Sequence, residues 1–480
     1  MKRFYLWLIL GLMSSTSMVA QNYKITVIGK VCNQLGHGIP DVVVNDGENF
    51  VKTDMKGKYR IVADTTKSKF IAISTPAEYI LPHKDGIAFG FYAPINKLKG
   101  KSVRTHNFIL NKRENKSDKF YYIAISDPQI NDEHDYKRWC NETVKDMKSE
   151  ISRMDKEHEV IGITLGDMVF SKRNIWEPFK KSIENTGMTT FMCIGNHDMI
   201  KSVPSLENSP KGAKIYSEMD FMNYFGPTDY SFNIGKIHVV TINNINNMQH
   251  NKYVEMLTPS KLEWLRKDLS YIPKGSMIFL NMHAAGWNKW YPYANMHNTP
   301  MLDKLLEGYD VHVFCGHSHF FQDVDVNEHL YQHNIGAACG AWWWGDVNRC
   351  GAPNGYMIVD VDGTKVRCIY KATGKSTEYQ IHVYGKGEFR TQKDFIVANI
   401  WDYDDKCNVE WIQDGVNKGK MEQFKDKDEE YSRIKNEHHV NLPECYTDHL
   451  FRIKPERGAK KIEIIFTNHY GEKYKESIIL

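Results

Sequence analysis

The sequence predicts an α/β layered centre with small all-β units at both ends. Three observations carry that prediction. From Phe120 onwards, apolar runs of strand length alternate with stretches of helical periodicity. Before Asn111 and after Gly374 the chain reads instead as short strands broken by turns. Five of the central apolar runs also end in Asp, Asn, Gln or His, three of them next to glycine, a pattern that belongs to sheets whose strand ends carry a site.

The elements follow in order. Residues 1–20 read as a leader: Lys2 and Arg3 precede an apolar run from Phe4 to Met13, and Ala20-Gln21 is a cleavage point. That run is shorter than the roughly 20 residues a membrane span needs, and no later stretch is long and apolar enough. Export to the periplasm or beyond the cell is the expectation, with no lipid anchor, because no cysteine sits at the cleavage point. Residues 21–113 form a predicted β-sandwich. Tyr23 to Val31 and Val42 to Asn45 alternate apolar and polar, and Thr53 to Tyr59 is a turn feeding another strand. Asn111 to Lys119 is a polar linker. Residues 114–373 form the centre. Its strands are predicted at Phe120 to Ile125, Val160 to Leu165, Thr190 to Ile194, Ile237 to Ile242, Met277 to Leu280 and Val311 to Phe314. Helices are predicted over His134 to Lys156 and from Pro259, at a first helical position, to Leu269. Residues 374–480 read as a β-rich unit with few helix signals, and Lys425 to Lys435 as a solvated face or loop.

Composition excludes several classes. The 480 residues suit about three domains. With 41% hydrophobic and 25% charged residues, the chain is neither disordered as a whole, collagenous, nor a coiled coil. Its net charge of +3 gives no electrostatic case for nucleic acid or anionic membrane as the main partner. The nine cysteines are odd in number and include no CxxC pair, so a disulfide framework is not expected, although one or two bridges are possible after export.

The chemistry lies in the strand ends. They read Asp127-Pro128-Gln129, Gly166-Asp167, Gly195-Asn196-His197-Asp198, Asn281-Met282-His283 and Gly316-His317-Ser318-His319. A lone carboxylate after a strand is ordinarily a turn or cap, and a lone His-x-His is ordinarily surface. Five such ends in series within about 200 residues are not explained that way. Glycine lets each loop turn sharply enough for the side chains to converge. Mixed oxygen and nitrogen donors suit Mn, Fe or Zn and do not select among them.

The order D-x-[H/Q], GD, GNH[D/E], H, GHxH resembles the calcineurin-like metallophosphoesterase superfamily. The resemblance implies a layered β-sandwich flanked by helices, holding two divalent metal ions. Asp127, Gln129, Asp167 and His319 would hold one ion. Asp167, Asn196, His283 and His317 would hold the other, with Asp167 bridging. His197 would act beside the substrate phosphate, and Asp198 would orient His197. Two dications, two carboxylates and a bridging hydroxide leave one net positive charge for a phosphate ester to meet. The implied reaction is hydrolysis of a phosphate mono- or diester by that hydroxide. Gln129 stands where histidine is more usual and offers a neutral carbonyl oxygen. Phe170 stands where purple acid phosphatases carry a tyrosine ligand, so a purple iron(III) centre is not expected. The pattern GKV…GIPDVVVNDGENFVKTDMKGKYRI resembles carboxypeptidase regulatory-like domains, which are transthyretin-like sandwiches. The three-part arrangement resembles secreted bacterial members of the superfamily.

Aromatic residues flank the motifs: Trp287, Trp290, Tyr291 and Tyr293 after His283, and Trp342, Trp343 and Trp344 after His319. Each reads either as packing or as a wall for a base, sugar or other leaving group. Trp287 and Trp343 are the candidate walls, and Arg349 the candidate partner of phosphate oxygens. His297 and His333 read as nearby donors or as surface. The expected substrate is a small-molecule, glycan or nucleotide phosphate ester. The oligomeric state, the ester class and the metal stay open. The competing reading is a non-catalytic binding protein on a degenerate scaffold, which would bind fewer than two ions. A protein serine/threonine phosphatase is a third reading, which the leader disfavours.

Overall fold

The computed structural model describes residues 23–480 other than 116, 202–209, 249–251 and 292–294. The leader and Tyr293 lie outside the described residues. Alternation decides which way each central strand faces. In β1 (Lys119–Ile125), Tyr122 and Ala124 face the interior between two sheets, while Ile123 and Ile125 face outward under helices. Successive side chains point to opposite faces, and both faces are buried, so the run is continuously apolar.

The other central strands are β2 (Glu159–Thr164), β3 (Thr189–Met192), β4 (Tyr230–Ile234), β5 (Ile237–Thr241), β6 (Met277–Asn281), β7 (Asp310–Cys315), β8 (Gln322–Asn327), β9 (Leu330–Asn334), β10 (Gly355–Asp362) and β11 (Lys365–Ala372). One sheet runs β11-β10-β1-β2-β3 and continues into Ile87–Ala88 and His83–Lys84. The facing sheet runs β4-β5-β6-β7-β9-β8. β1, β2 and β3 are mutually parallel, as are β5, β6, β7 and β9. Both sets therefore present carboxyl ends along one edge of the sandwich, the usual place for a site in parallel sheets.

The sheets are pinned face to face by Tyr122, whose hydroxyl donates to Asn281 Oδ1 at 2.8 Å, and by its edge contacts with Phe279 and Phe314. Trp139, Met147, Ile151, Trp176 and Phe179 cover the outer face of the first sheet. They lie on a helical stretch over Glu133–Arg138, Trp139–Val144 and Lys145–Arg153, and on Trp176–Ile183. Pro259–Leu269 and Thr299–Leu306 cover the second sheet through Trp264, Leu265, Leu302 and Leu306.

The terminal units differ in how they join this centre. The first is a sandwich of two small sheets, and it shares the central core. Val27, Tyr59 and Phe91 belong to one apolar cluster with Phe191, Tyr230 and Phe232, and Thr190 on β3 pairs in parallel with Ile87. The last unit also has two four-stranded sheets, packed around a core of its own that includes Ile396, Ile400, Phe451, Ile462 and Phe466. It contains an unexpected helix, Glu429–Glu437, which overlaps the segment Lys425 to Lys435 read as a solvated face or loop. Asp428 caps it by accepting from Tyr431 N at 3.0 Å. Tyr431 and Ile434, three residues apart, bury its inner face against Ala341, while Glu430, Arg433 and Glu437 pair on the outer one. The charged residues that dominate the segment are that outer face. All nine cysteines are free, so no disulfide joins the units. Among the described residues, no helix is long and apolar enough to cross a membrane.

Candidate metal centre

The ligand-type side chains follow strand ends, five of the seven on a backbone that L-residues rarely adopt. Asp127, Gln129, Asp167, His317 and His319 all have positive φ, between 41° and 71°. Left-handed conformations at non-glycine residues cost energy, and clusters of them mark functional sites. Two glycines make the convergence possible. Gly166 has φ +92°, and a Cβ there would press on His283 Nδ1. A Cβ on Gly316 would overlap Ser126 and Asp127.

The polar atoms sort into saturated and unsaturated sets. Asp127 Oδ2 accepts from the Ser126 hydroxyl and from His317 N at 2.8 Å, whereas its Oδ1 is buried with no partner. Gln129 Nε2 donates to Asp167 Oδ2 at 3.0 Å, leaving Oε1 buried and unpartnered. His319 stacks on Trp342, and its Nε2 is buried and unpartnered 3.5 Å from Asp127 Oδ1. Native proteins rarely leave buried polar atoms unpaired. Three of them, an anionic oxygen, a carbonyl oxygen and an imidazole nitrogen, form a donor set for a cation.

The adjoining group is as distinctive. His283 Nδ1 meets the Leu165 carbonyl at 2.7 Å, which fixes the tautomer and leaves Nε2 with its lone pair. Around Nε2 stand Asn196 Oδ1 at 3.0 Å, His317 Nδ1 at 3.0 Å and Asp167 Oδ1 at 3.4 Å. His317 Nε2 faces Glu255 at 3.5 Å and the Tyr253 hydroxyl at 3.4 Å, so its Nδ1 is the nitrogen turned to the cluster. Four acceptor-type atoms converge, and only positive charge reconciles them. Burial disfavours an imidazolium at His283, yet Asp167 and Asp127 raise it to about 10. Burial likewise opposes ionisation of Asp167, and His283 and His197 nevertheless hold it far below the usual carboxylate range. The field at this cluster favours positive charge, and the seven residues suit the pair of metals that the motif order implies.

His197 lies beside this cluster. Its backbone N–H donates to Asp167 Oδ1 at 2.7 Å, and its ring stacks on Phe170 with centroids 4.3 Å apart. Nδ1 lies 3.1 Å from both Ser171 Oγ and Lys201 Nζ. An ammonium only donates, so Nδ1 accepts and a neutral His197 carries its proton on Nε2. Burial, aided by Lys201, holds its pKa down to about 4 despite Asp167.

Three expectations need correction. Asp198 does not orient the His197 ring. Its carboxylate accepts from Met168 N at 3.1 Å and Gly195 N at 2.9 Å, and so ties the loop of Asp167 to the loop of Asn196. Trp287 is not brought to the cluster, because it packs on the core beneath the second sheet. His333 is not a surface residue: it is fully buried, with its Nδ1 against Asp323. Trp343 reaches the rim, but its ring is 4% exposed and its indole N–H donates to the Pro128 carbonyl at 2.9 Å. Arg349 does line the cleft at His317, with its guanidinium held by the Ser318 and Glu444 carbonyls.

Two clefts flank the cluster. One of about 360 Å³ is lined by His317, Glu255, Asn288, Tyr291, Arg349 and Glu444. The other, about 660 Å³, is lined by Gln129, Phe170, Asp132, Asp135, Trp342 and Trp344. Hollows of 420 and 940 Å³ lie against the first terminal unit and hold none of these ligand-type residues. Sequence reading missed Ser126, Ser171, Lys201, Tyr253 and Glu255. Ser126 simply adjoins Asp127, whereas Ser171, Lys201, Tyr253 and Glu255 come to the strand ends from other segments, Tyr253 and Glu255 on a short strand, and no spacing rule singles them out.

Comparison with known proteins points the same way. Three family profiles match: the N terminal of calcineurin-like phosphoesterase over residues 25–113, calcineurin-like phosphoesterase over 121–321, and its C terminal over 332–474. No curated protein matches. Similar solved structures include a dimetal phosphatase from Danio rerio (10% identity, 53% of this chain, 97% of that one, TM-score 0.37). Others are a purple acid phosphatase from yellow lupin, Lupinus luteus (13%, 73% and 72%, 0.38), and a 5'-nucleotidase from Candida albicans (12%, 54% and 52%, 0.33).

Proposed function

The chain belongs to the calcineurin-like phosphoesterases, and on that premise we propose that it is an exported enzyme using two divalent metal ions to hydrolyse small phosphate esters. One observation carries the reading: Asp127 Oδ1, Gln129 Oε1 and His319 Nε2 are buried without partners beside the acceptor cluster at His283 Nε2. Asp127, Gln129, Asp167 and His319 would hold one ion, and Asp167, Asn196, His283 and His317 the other. When bound, the ions supply Lewis acidity and lower the pKa of water, so that a nucleophile forms near neutral pH.

The protein's own groups do the rest. Ser126 and the His317 amide fix the rotation of Asp127, so one carboxylate oxygen always faces the first ion. Glu255 and the Leu165 carbonyl set the tautomers of His317 and His283, the positioning that metal-ligating histidines ordinarily receive. His197 presents a neutral Nε2–H, which donates to a phosphoryl or leaving-group oxygen. Phe170 holds the ring in place, and Lys201 keeps Nδ1 from taking the proton. The cleft beside His317 admits a small leaving group, with Arg349 at its rim.

The test is hydrolysis of p-nitrophenyl phosphate and bis-p-nitrophenyl phosphate by purified protein, chelated and then given manganese, zinc or iron. Release of p-nitrophenol that stops on chelation and returns with metal is the expected result, and the faster ester names the class. Full activity after exhaustive chelation overturns the proposal.

A further inference from the structure

The run Trp342-Trp343-Trp344 borders the cleft of about 660 Å³ that opens beside Gln129. Trp342 and Trp343 both have a left-handed backbone, with φ of 51° and 63°. For bulky side chains that is a genuine outlier, and such residues gather at functional sites. Trp342 stacks on His319, and Phe170 stacks on His197, so the aromatic lining adjoins the candidate centre. Gln129, 5% exposed and with Oε1 unpartnered, lines the same cleft. Trp344 stands half exposed at its side. We infer that this cleft is a subsite for a cationic group of the substrate, an inference that rests on the phosphoesterase reading and makes the substrate an ester of an alcohol that carries an ammonium group.

Charge supports this first. Asp132 and Asp135 line the cleft, and among its described lining residues none is lysine or arginine. The adjacent basic residues pair elsewhere: Lys137 with Glu133, and Arg138 with Glu142 and Asp346. The carboxylates themselves are held in place. Asp132 Oδ1 accepts from Asp135 N at 3.1 Å, and Asp135 Oδ2 accepts from Asn131 N at 3.1 Å. Indole faces attract cations through the ring quadrupole. An ammonium group gains from both the rings and the carboxylates, which an uncharged group of the same shape does not.

Construction supports it second. Leu442 and Pro443, from the last β unit, complete the lining. The Tyr431 hydroxyl donates to the Pro443 carbonyl at 2.8 Å. Tyr431, Ile434 and Leu442 pack on Ala341, the residue before the tryptophans. The helix Glu429–Glu437 therefore fixes one wall of the cleft against the strained run that forms another, and the last β unit takes part in choosing the substrate.

Matched esters isolate the charge. Choline phosphate and neohexyl phosphate have the same shape, with a quaternary nitrogen in the first where the second has carbon. Each is also made as its p-nitrophenyl diester. The ratio of kcat/KM within each pair is measured with manganese on the full chain as wild type, Asp132→Asn and Trp344→Leu. Asparagine caps helices as aspartate does, and near-ultraviolet circular dichroism checks that both variants are folded. The expected result, in whichever pair the protein hydrolyses, is a preference of about 10-fold for the cationic member that falls toward unity in each variant. A ratio near or below one in wild type, or an undiminished preference in both folded variants, overturns the inference and leaves the phosphoesterase reading standing. So does metal-dependent turnover of p-nitrophenyl phosphate or its bis ester with none of either choline ester. No metal-dependent turnover of any of these esters overturns that reading and the inference with it.

Discussion

Two buried polar clusters contain the same residue types and behave oppositely. Around Asp268, each of the facing polar atoms has a hydrogen-bond partner within the protein. Ser231 Oγ donates to Asp268 Oδ1 at 2.7 Å, His238 Nε2 meets Oδ2 at 2.8 Å, and His238 Nδ1 meets Asn233 Oδ1 at 2.8 Å. Around Asp167, acceptor-type atoms crowd His283 Nε2 while three further polar atoms find no partner. Asp268 and Asp167 are 2% and 0% exposed, so burial does not distinguish them. Donor balance does: the first cluster is complete as protein, and the second becomes complete only with cations. The backbone agrees, since positive φ gathers at the second cluster and not at Asp268 or His238.

That comparison orders the predictions. Asp167→Asn removes the carboxylate common to both ligand sets. Turnover should fall on the order of 10³-fold or more, read as phosphate release at saturating manganese, with a lower Tm because the amide sets an N–H against the His197 or Gln129 N–H that now donates to Asp167. His197→Ala leaves the ligands in place, so kcat should fall roughly 10²- to 10⁴-fold, the range for a positioned proton donor. The metal content, read by mass spectrometry, should match wild type; loss of an ion would make His197 a ligand instead. Asp198→Asn presents an amide N–H to one of the two backbone N–H groups that now donate to it. It should cost about 10- to 100-fold in activity, as loss of a group supporting metal ligands does, with a lower Tm; unchanged activity would detach Asp198 from the site. Asp268→Ala inverts the pattern. It leaves His238 buried without its partner and should cost about 3 kcal/mol of stability by chemical denaturation, while kcat stays at the wild-type value. If kcat fell instead, the contrast between the clusters would collapse.

How much of this was legible in the sequence follows the same line. The strands were readable because burial on both faces writes continuous apolar runs, and the helix from Pro259 because its proline marks the first turn. The ligand-type residues were readable because they sit at strand ends, three of the five beside glycine, so local spacing encodes their convergence. Asp198 was misread because its sequence neighbour is His197 while its hydrogen bonds go to Met168 and Gly195. The helix at Glu429 was hidden because only Tyr431 and Ile434 mark its buried face among charges. How the first β unit joins the centre was not legible. Its strand at Ile87 and the packing of Phe91 against Phe191 and Tyr230 are long-range facts that no local pattern carries. Deleting residues 22–110 would strip a wall from the central core.

The most direct measurement is an anomalous difference map from crystals of the full chain grown with manganese, recorded near its absorption edge. The account predicts two peaks bracketing Asp167, about 3.5–4 Å apart as in paired-metal hydrolases. One should lie against Asp127, Gln129 and His319, and the other against Asn196, His283 and His317. A single peak, or none at Asp167, would contradict it and return the chain to the reading of a degenerate binding scaffold.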